Sequence, residues 1–105
     1  MDRTEFEMKL KEKVNNEYKN FIDNLKTKSA DYIIADAKEI VDKSNILLVM
    51  NNLNFLTQEQ LEVLYSKDNT LEEIFTDYYD FNFDYLDDYR ESIINTAYLF
   101  IIFED

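Results

Sequence analysis

The chain of 105 residues contains no glycine, proline, cysteine, histidine or tryptophan. Each absence excludes something. Without glycine or proline, sharp turns are few and nothing punctuates an element from inside, which favours long helices. Without cysteine there are no disulfides, thiolate nucleophiles or zinc–sulfur sites, a pattern that suits a reducing cytoplasm. Without histidine the usual general base and the commonest transition-metal ligand are missing. No glycine-rich phosphate loop can be built, and no serine sits in a nucleophile elbow.

Long apolar runs are also scarce. The N-terminal stretch MDRTEFEMKLKEK has no apolar h-region, so no secretory signal is expected. The most apolar run, AYLFIIF at 97–103, is far too short to span a bilayer. These features predict a soluble, cytoplasmic protein. The wealth of Asn, Lys, Ile, Tyr, Phe and Asp suggests an AT-rich coding sequence.

What is present begins with 46% hydrophobic residues, too many for a disordered acidic tail. One domain over 1–105 is expected, large enough to bury roughly two-thirds of the surface exposed by the unfolded chain. The formal net charge is −12, unevenly spread. Residues 1–45 hold nine Lys/Arg against ten Asp/Glu, a net of −1. Residues 46–105 hold two, Lys67 and Arg90, against thirteen, a net of −11. Such polarity disfavours direct binding to nucleic acid or anionic membrane and favours a basic protein partner.

Three capping boxes mark helix starts: Thr4 with Glu7, Thr57 with Gln60, and Thr70 with Glu73. Ser29 is a fourth cap. The first helix is predicted over about 5–26, with Leu10, Val14, Tyr18, Phe21, Ile22 and Leu25 as its buried stripe. The second starts near Ala30, buries Ile33, Ile34, Ala37, Ile40 and Val41, and continues through ILLVM at 46–50. It ends at Asn51, Asn52 and Asn54, where asparagine can take the left-handed cap. A short helix at about 58–66 buries Leu61, Leu64 and Tyr65. A long acidic helix then runs from Thr70 towards residue 100, with Leu71, Phe75, Tyr78, Tyr85, Tyr89, Ile93, Thr96 and Phe100 on one face. The expected fold is all-α, a compact antiparallel bundle of about four helices.

The stretch DFNFDYLDDYRE at 80–91 places Asp80, Asn82, Asp84, Asp88 and Glu91 at positions 1, 3, 5, 9 and 12 of a calcium-loop template. That template needs glycine at position 6 for a positive φ, and here the residue is Tyr85. Position 8, usually aliphatic, is Asp87. No metal or cofactor is therefore expected. On a continuous helix, Glu73, Asp77, Asp80, Asp84, Asp87 and Glu91 fall within roughly 40° of one line opposite the apolar face. Their spacing of three and four residues sets successive carboxylates roughly 5–6 Å apart along the axis. Glu72 and Asp88 thicken the stripe, and Phe83 flanks it.

Two readings compete for this stripe. It is either a solvated face or a protein-binding surface in which aromatics anchor and carboxylates steer. Segment 68–91 carries nine acids and one base, whereas residues 5–28 mix both signs. That contrast favours a partner-binding surface made of Glu73, Asp77, Asp80, Phe83, Asp84, Asp87, Asp88 and Glu91. The carboxylate pitch is also of the order of DNA's phosphate spacing, about 3.4 Å per strand, so the helix could occupy a basic groove built for nucleic acid. Phe81, Phe83 and the apolar run at 98–103 could be core or interface. Paired carboxylates need a cleft that separates their pKa values before they catalyse, and none is visible, so enzymatic activity is not expected.

The segment AKEIVDKSNILLVMNNLNFLTQEQLEVLYSKDNTLEEIFTDYY, with LDDYRESI after it, resembles a small uncharacterised domain family of plasmids, prophages and integrative elements in AT-rich Gram-positive bacteria. The likeness covers about residues 10–97 and rests on helix caps and core positions, so it implies no catalytic or binding residues. In size, charge and apparent source the chain also looks like the acidic counter-defence proteins of such elements, anti-CRISPR proteins among them. This implies a non-enzymatic inhibitor, a DNA mimic acting on a CRISPR effector such as Cas9. The competing expectation is a homo-oligomerisation or adaptor module, possible as a homodimer, whose acidic face is merely solvated.

Overall fold

The structure, a computed structural model, describes the backbone of residues 2–81 and 89–104 and the side chains of residues 2–79 and 89–97. Its described residues form six helices and no strand: α1 Arg3–Leu25, α2 Ala30–Ala35, α3 Ala37–Val49, α4 Gln58–Ser66, α5 Thr70–Phe81 and α6 Tyr89–Glu104. The all-α expectation holds, but the count of about four helices does not.

Helix α1 opens on Asp2 rather than on Thr4. Asp2 is extended (φ −83°, ψ 176°), and its carboxylate accepts from the Glu5 N–H at 2.9 Å. Its charge also suits the positive end of the helix dipole, which the Thr4 hydroxyl cannot match. Leu10, Val14 and Leu25 are buried as expected, with Tyr18, Phe21 and Ile22 half-buried beside them.

The second predicted helix is two helices. Asp36 leaves helical geometry (φ −94°, ψ 8°) and separates α2 from α3. Ser29 does cap α2, accepting from the Tyr32 N–H at 3.2 Å. Nothing in α2 is buried, and Ile34, Ala37 and Val41 are exposed. The inward face of α3 is instead Asp42, Lys43 and Ile46, continued by Met50. Continuation through 46–49 is as expected. Beyond it the asparagines contribute an Asx turn, with the Asn52 side chain accepting from the Asn54 N–H at 3.0 Å.

Helix α4 matches its prediction. Both arms of the Thr57–Gln60 capping box are present, at 2.8 and 3.1 Å. Leu61 and Leu64 are buried, and Tyr65 packs edge-on against Phe6 of α1. Helix α5 does start at Thr70, but by other means than a Thr70 capping box. The Thr70 hydroxyl donates backwards to the Leu64 carbonyl at 2.6 Å. The first free N–H groups of α5 are taken by other residues. Asn69 Oδ1 accepts from Glu72, and the Glu17 carboxylate of α1 accepts from Thr70 and Leu71 at 3.1 and 2.8 Å.

One apolar cluster joins these elements. Leu10 and Val14 of α1 meet Ile46 of α3, Leu61 and Leu64 of α4, Leu71 and Ile74 of α5, and Ile93 and Ala97 of α6. Met50, Leu53 and Leu56 close it from the α3–α4 connection, where the Arg3 guanidinium also donates to the Leu53 carbonyl at 3.0 Å.

The expected long last helix is corrected. Helices α5 and α6 pack side by side, and the rings of Tyr78 and Tyr89 stack with centroids 4.4 Å apart. In one straight helix these residues would stand about 16 Å apart along the axis. The buried face itself was read correctly on both sides: Leu71, Tyr78, Tyr89, Ile93 and Thr96 are buried, and Phe75 is half-buried. They face one another across a helix pair instead of lining one rod. The predicted roles of Tyr85 and Phe100 lie outside the described side chains.

Candidate protein-binding surface

The eight residues of the predicted acidic surface divide three ways. Glu73 and Glu91 are exposed, on α5 and α6 respectively. Asp77 is only 9% exposed, which contradicts its place on a partner-facing stripe. The buried face of α5 is Thr70, Leu71, Ile74, Asp77 and Tyr78, and the helical period puts position 77 inside it. Asp80, Phe83, Asp84, Asp87 and Asp88 lie outside the described side chains, as does the question of Phe81.

The carboxylates that are described are partly engaged. Glu73 pairs with Lys67 at 3.0 Å, and Glu72 with Lys43 at 2.5 Å. With α5 and α6 side by side, Glu73 and Glu91 belong to separate axes. The argument from DNA-like pitch required a single axis and does not carry over. Among the described residues no group of three or more acidic, histidine or cysteine side chains is placed to hold a metal ion. No described helix is long and apolar enough to cross a membrane.

Two charged residues, unforeseen from sequence, occupy the centre of the wall formed by α3, α5 and α6. Lys43 has a 4% exposed side chain. Its ammonium pairs with Glu39 at 2.7 Å and with Glu72, and lies 3.8 Å from the Phe21 ring centroid and 5.4 Å from that of Phe75. Paired carboxylates and aromatic faces together compensate the desolvation of a buried cation. Asp42 is 4% exposed and accepts from the Tyr89 hydroxyl at 3.0 Å and from Lys38 Nζ at 2.8 Å. Asn45 in turn donates to the Tyr89 oxygen at 3.2 Å. One signal could have revealed this layer. If Ile46 and Met50 face inward, the helical period carries positions 42 and 43 inward with them.

Burial pushes the Tyr89 hydroxyl well above the ordinary tyrosine value, and the Asp42 carboxylate adds to the effect, while the hydrogen bond from Asn45 opposes it. The hydrogen bond to Asp42 likewise holds Lys38 above its usual value. Both folded groups keep their protons more tightly than in the unfolded chain. The stability they contribute is therefore intact below about pH 10 and falls as the pH rises beyond it. Replacing Tyr89 with phenylalanine leaves Asp42 without a buried donor and is expected to cost about 1–2 kcal/mol at neutral pH. Urea unfolding at pH 7 and pH 10.5 checks this. The variant should also lose less stability than the parent between the two values, because only Lys38 of this pair still titrates.

Large apolar side chains of α2, α3 and α5 are open to solvent. Tyr79 is 66% exposed on α5, and Ile34 and Val41 are 71% and 56% exposed on α2 and α3. A groove of about 380 Å³ separates Tyr79 and Phe75 from Ala35, Asp36, Lys38 and Glu39. A second, of about 330 Å³, lies between Leu48 and Arg90, whose guanidinium is 5.8 Å from the Phe55 ring.

No curated protein and no solved structure matches the chain. A family profile described as "Protein of unknown function (DUF3848)" does, over residues 6–100. That span takes in the caps of α2 and α4, the Asp42–Lys43 wall and both α5 and α6 up to Phe100. The chain therefore belongs to the DUF3848 family.

Proposed function

We propose that the protein is a non-enzymatic binding module that docks onto a basic protein, and that its narrowest assignment is an inhibitor of a nucleic-acid-handling enzyme. The observation that carries this reading is the charge distribution. Residues 46–105 hold thirteen acids against two bases, a net of −11, so the surface field steers basic partners and repels nucleic acid. The exposed Tyr79, Ile34 and Val41 supply apolar anchors beside that field.

The likeness to acidic counter-defence proteins narrows the partner to a CRISPR effector such as Cas9. There the acidic surface would contest the arginines and lysines that hold guide RNA and DNA. The alternative, a homo-oligomerisation or adaptor module, draws on the same exposed apolar residues. A formal charge of −12 on every copy weighs against it, because identical acidic surfaces repel.

The test is DNA cleavage by guide-loaded Cas9 with increasing amounts of this protein, repeated across a salt series, beside light scattering of the protein alone. Cleavage should fall with added protein and recover as salt screens the attraction. Unaltered cleavage at large excess removes the Cas9 assignment. A tight dimer that persists at low salt replaces the basic-partner reading with the oligomeric one.

A further inference from the structure

The groove between α5 and the α2–α3 junction combines two features that recognise an organic cation. Phe75 and Tyr79, whose ring centroids are 5.9 Å apart, form one side. Asp36 and Glu39 stand on the other. Asp36 immediately precedes α3, yet its carboxylate makes no cap hydrogen bond to that helix. Lys38 also lines the groove with its side chain 68% exposed, and Asp42 holds its ammonium at 2.8 Å. The lining of the groove holds two carboxylates, Asp36 and Glu39, against the one ammonium of Lys38, which Asp42 already pairs.

The inner side of the wall formed by α3, α5 and α6 already shows the same chemistry satisfied by the chain's own cation. Lys43 sits among Glu39, Glu72, Phe21 and Phe75. The outer side repeats the combination of aromatic ring and carboxylate, but there Tyr79 stands 66% exposed. A large aromatic left open to water across a groove from a carboxylate that caps no helix suits a planar cation. A guanidinium can stack on the ring while its N–H groups fork to the acid, a geometry that a compact ammonium cannot match.

We propose that this groove is the docking site for an arginine side chain carried on a basic segment of the partner protein, with Tyr79 and Phe75 as the stacking side and Asp36 as the counter-charge. The assignment rests on the basic-partner reading above and adds a location and a residue preference to it. Charge complementarity selects the occupant: an acidic or neutral segment would face the surplus of carboxylates without compensation.

The experiment titrates the isotope-labelled full chain with nona-arginine and, separately, with nona-lysine at low salt, following backbone amide shifts. Nona-arginine should bind more tightly than nona-lysine, with the largest shifts at Ala35, Asp36, Phe75 and Tyr79. Tyr79→Ala and Asp36→Asn should each weaken it by about fivefold, the size of a partly exposed cation–π contact or ion pair. Both positions can be changed without opening the core, and circular dichroism verifies that helix content is kept. Unchanged affinity in both variants, or equal affinity for the two peptides, overturns the groove assignment while leaving the basic-partner reading standing. Failure of both peptides to bind overturns both readings.

Discussion

Lys43→Ala is expected to destabilise the protein by about 3 kcal/mol, the range measured when one member of a buried ion pair is removed. Among the described residues Lys43 is the only cation paired with Glu39 and Glu72, with Nζ at 2.7 and 2.5 Å from them, and its side chain is 4% exposed. Truncation leaves two carboxylates facing one another and empties the space beside the Phe21 ring. Because the Glu72 side chain is 46% exposed and can turn to water, the loss should stay below the upper end for fully buried pairs. Lys43→Met fills the space but leaves the same two carboxylates without their cation, and is expected to cost about 2 kcal/mol, less than alanine by the packing it restores. Urea unfolding followed by circular dichroism separates the two. At this chain length the alanine variant should also melt roughly 10–20 °C lower. Equal losses in the two variants would mean that the paired cation, and not packing, is what position 43 contributes.

Glu17→Ala should have the second largest effect, about 2–3 kcal/mol, although Glu17 lies on α1 and its consequence falls on α5. Its carboxylate accepts from the Thr70 and Leu71 N–H groups, which start α5 and have no carbonyl four residues back to receive them. It also pairs with Lys13, which holds it in place. Removing it leaves two partly buried donors unsatisfied and takes a negative charge from the positive end of a helix. Glu17→Gln keeps one accepting oxygen and should cost about half as much. Native-state hydrogen exchange offers the specific readout. Thr70 and Leu71 should lose protection in Glu17→Ala, while the first turn of α4, capped by its own Thr57 and Gln60, should keep it.

These two residues illustrate what a single sequence can and cannot disclose. Thr57 and Gln60 were legible because a capping box is local: both partners lie within four residues, and the structure shows both hydrogen bonds. Ser29 was legible for the same reason. Asp2 was missed in favour of Thr4 because both satisfy the same local rule at neighbouring positions, and the charge that decides between them was not weighed. Glu17 was invisible as a cap, since it is separated by 53 residues from the N–H group of Thr70.

The predicted surface failed at Asp77 for a related reason. Its placement among the carboxylates of one stripe assumed that the helix from Thr70 continued past Phe81. The stacked rings of Tyr78 and Tyr89 show α5 and α6 lying beside each other instead. Asp42 and Lys43 escape prediction because a charged residue is normally exposed, and the helical pattern points the apolar Ile34 and Val41 inward in their stead, where the structure exposes them.

By itself the amino-acid sequence determined the all-helical class, the bounds of α4, the start of α2 and the apolar face shared by α5 and α6. Each follows from periodicity or capping over a few residues, where the covalent chain sets the distance. It also determined the −11 charge of residues 46–105, which is independent of folding. Only the tertiary structure decided that Glu17 caps α5, that Lys43 and Asp42 are buried between helices, and that Tyr79 is left open beside Asp36. Those outcomes depend on which helix faces pack together, and that choice is made by contacts between residues far apart in the chain.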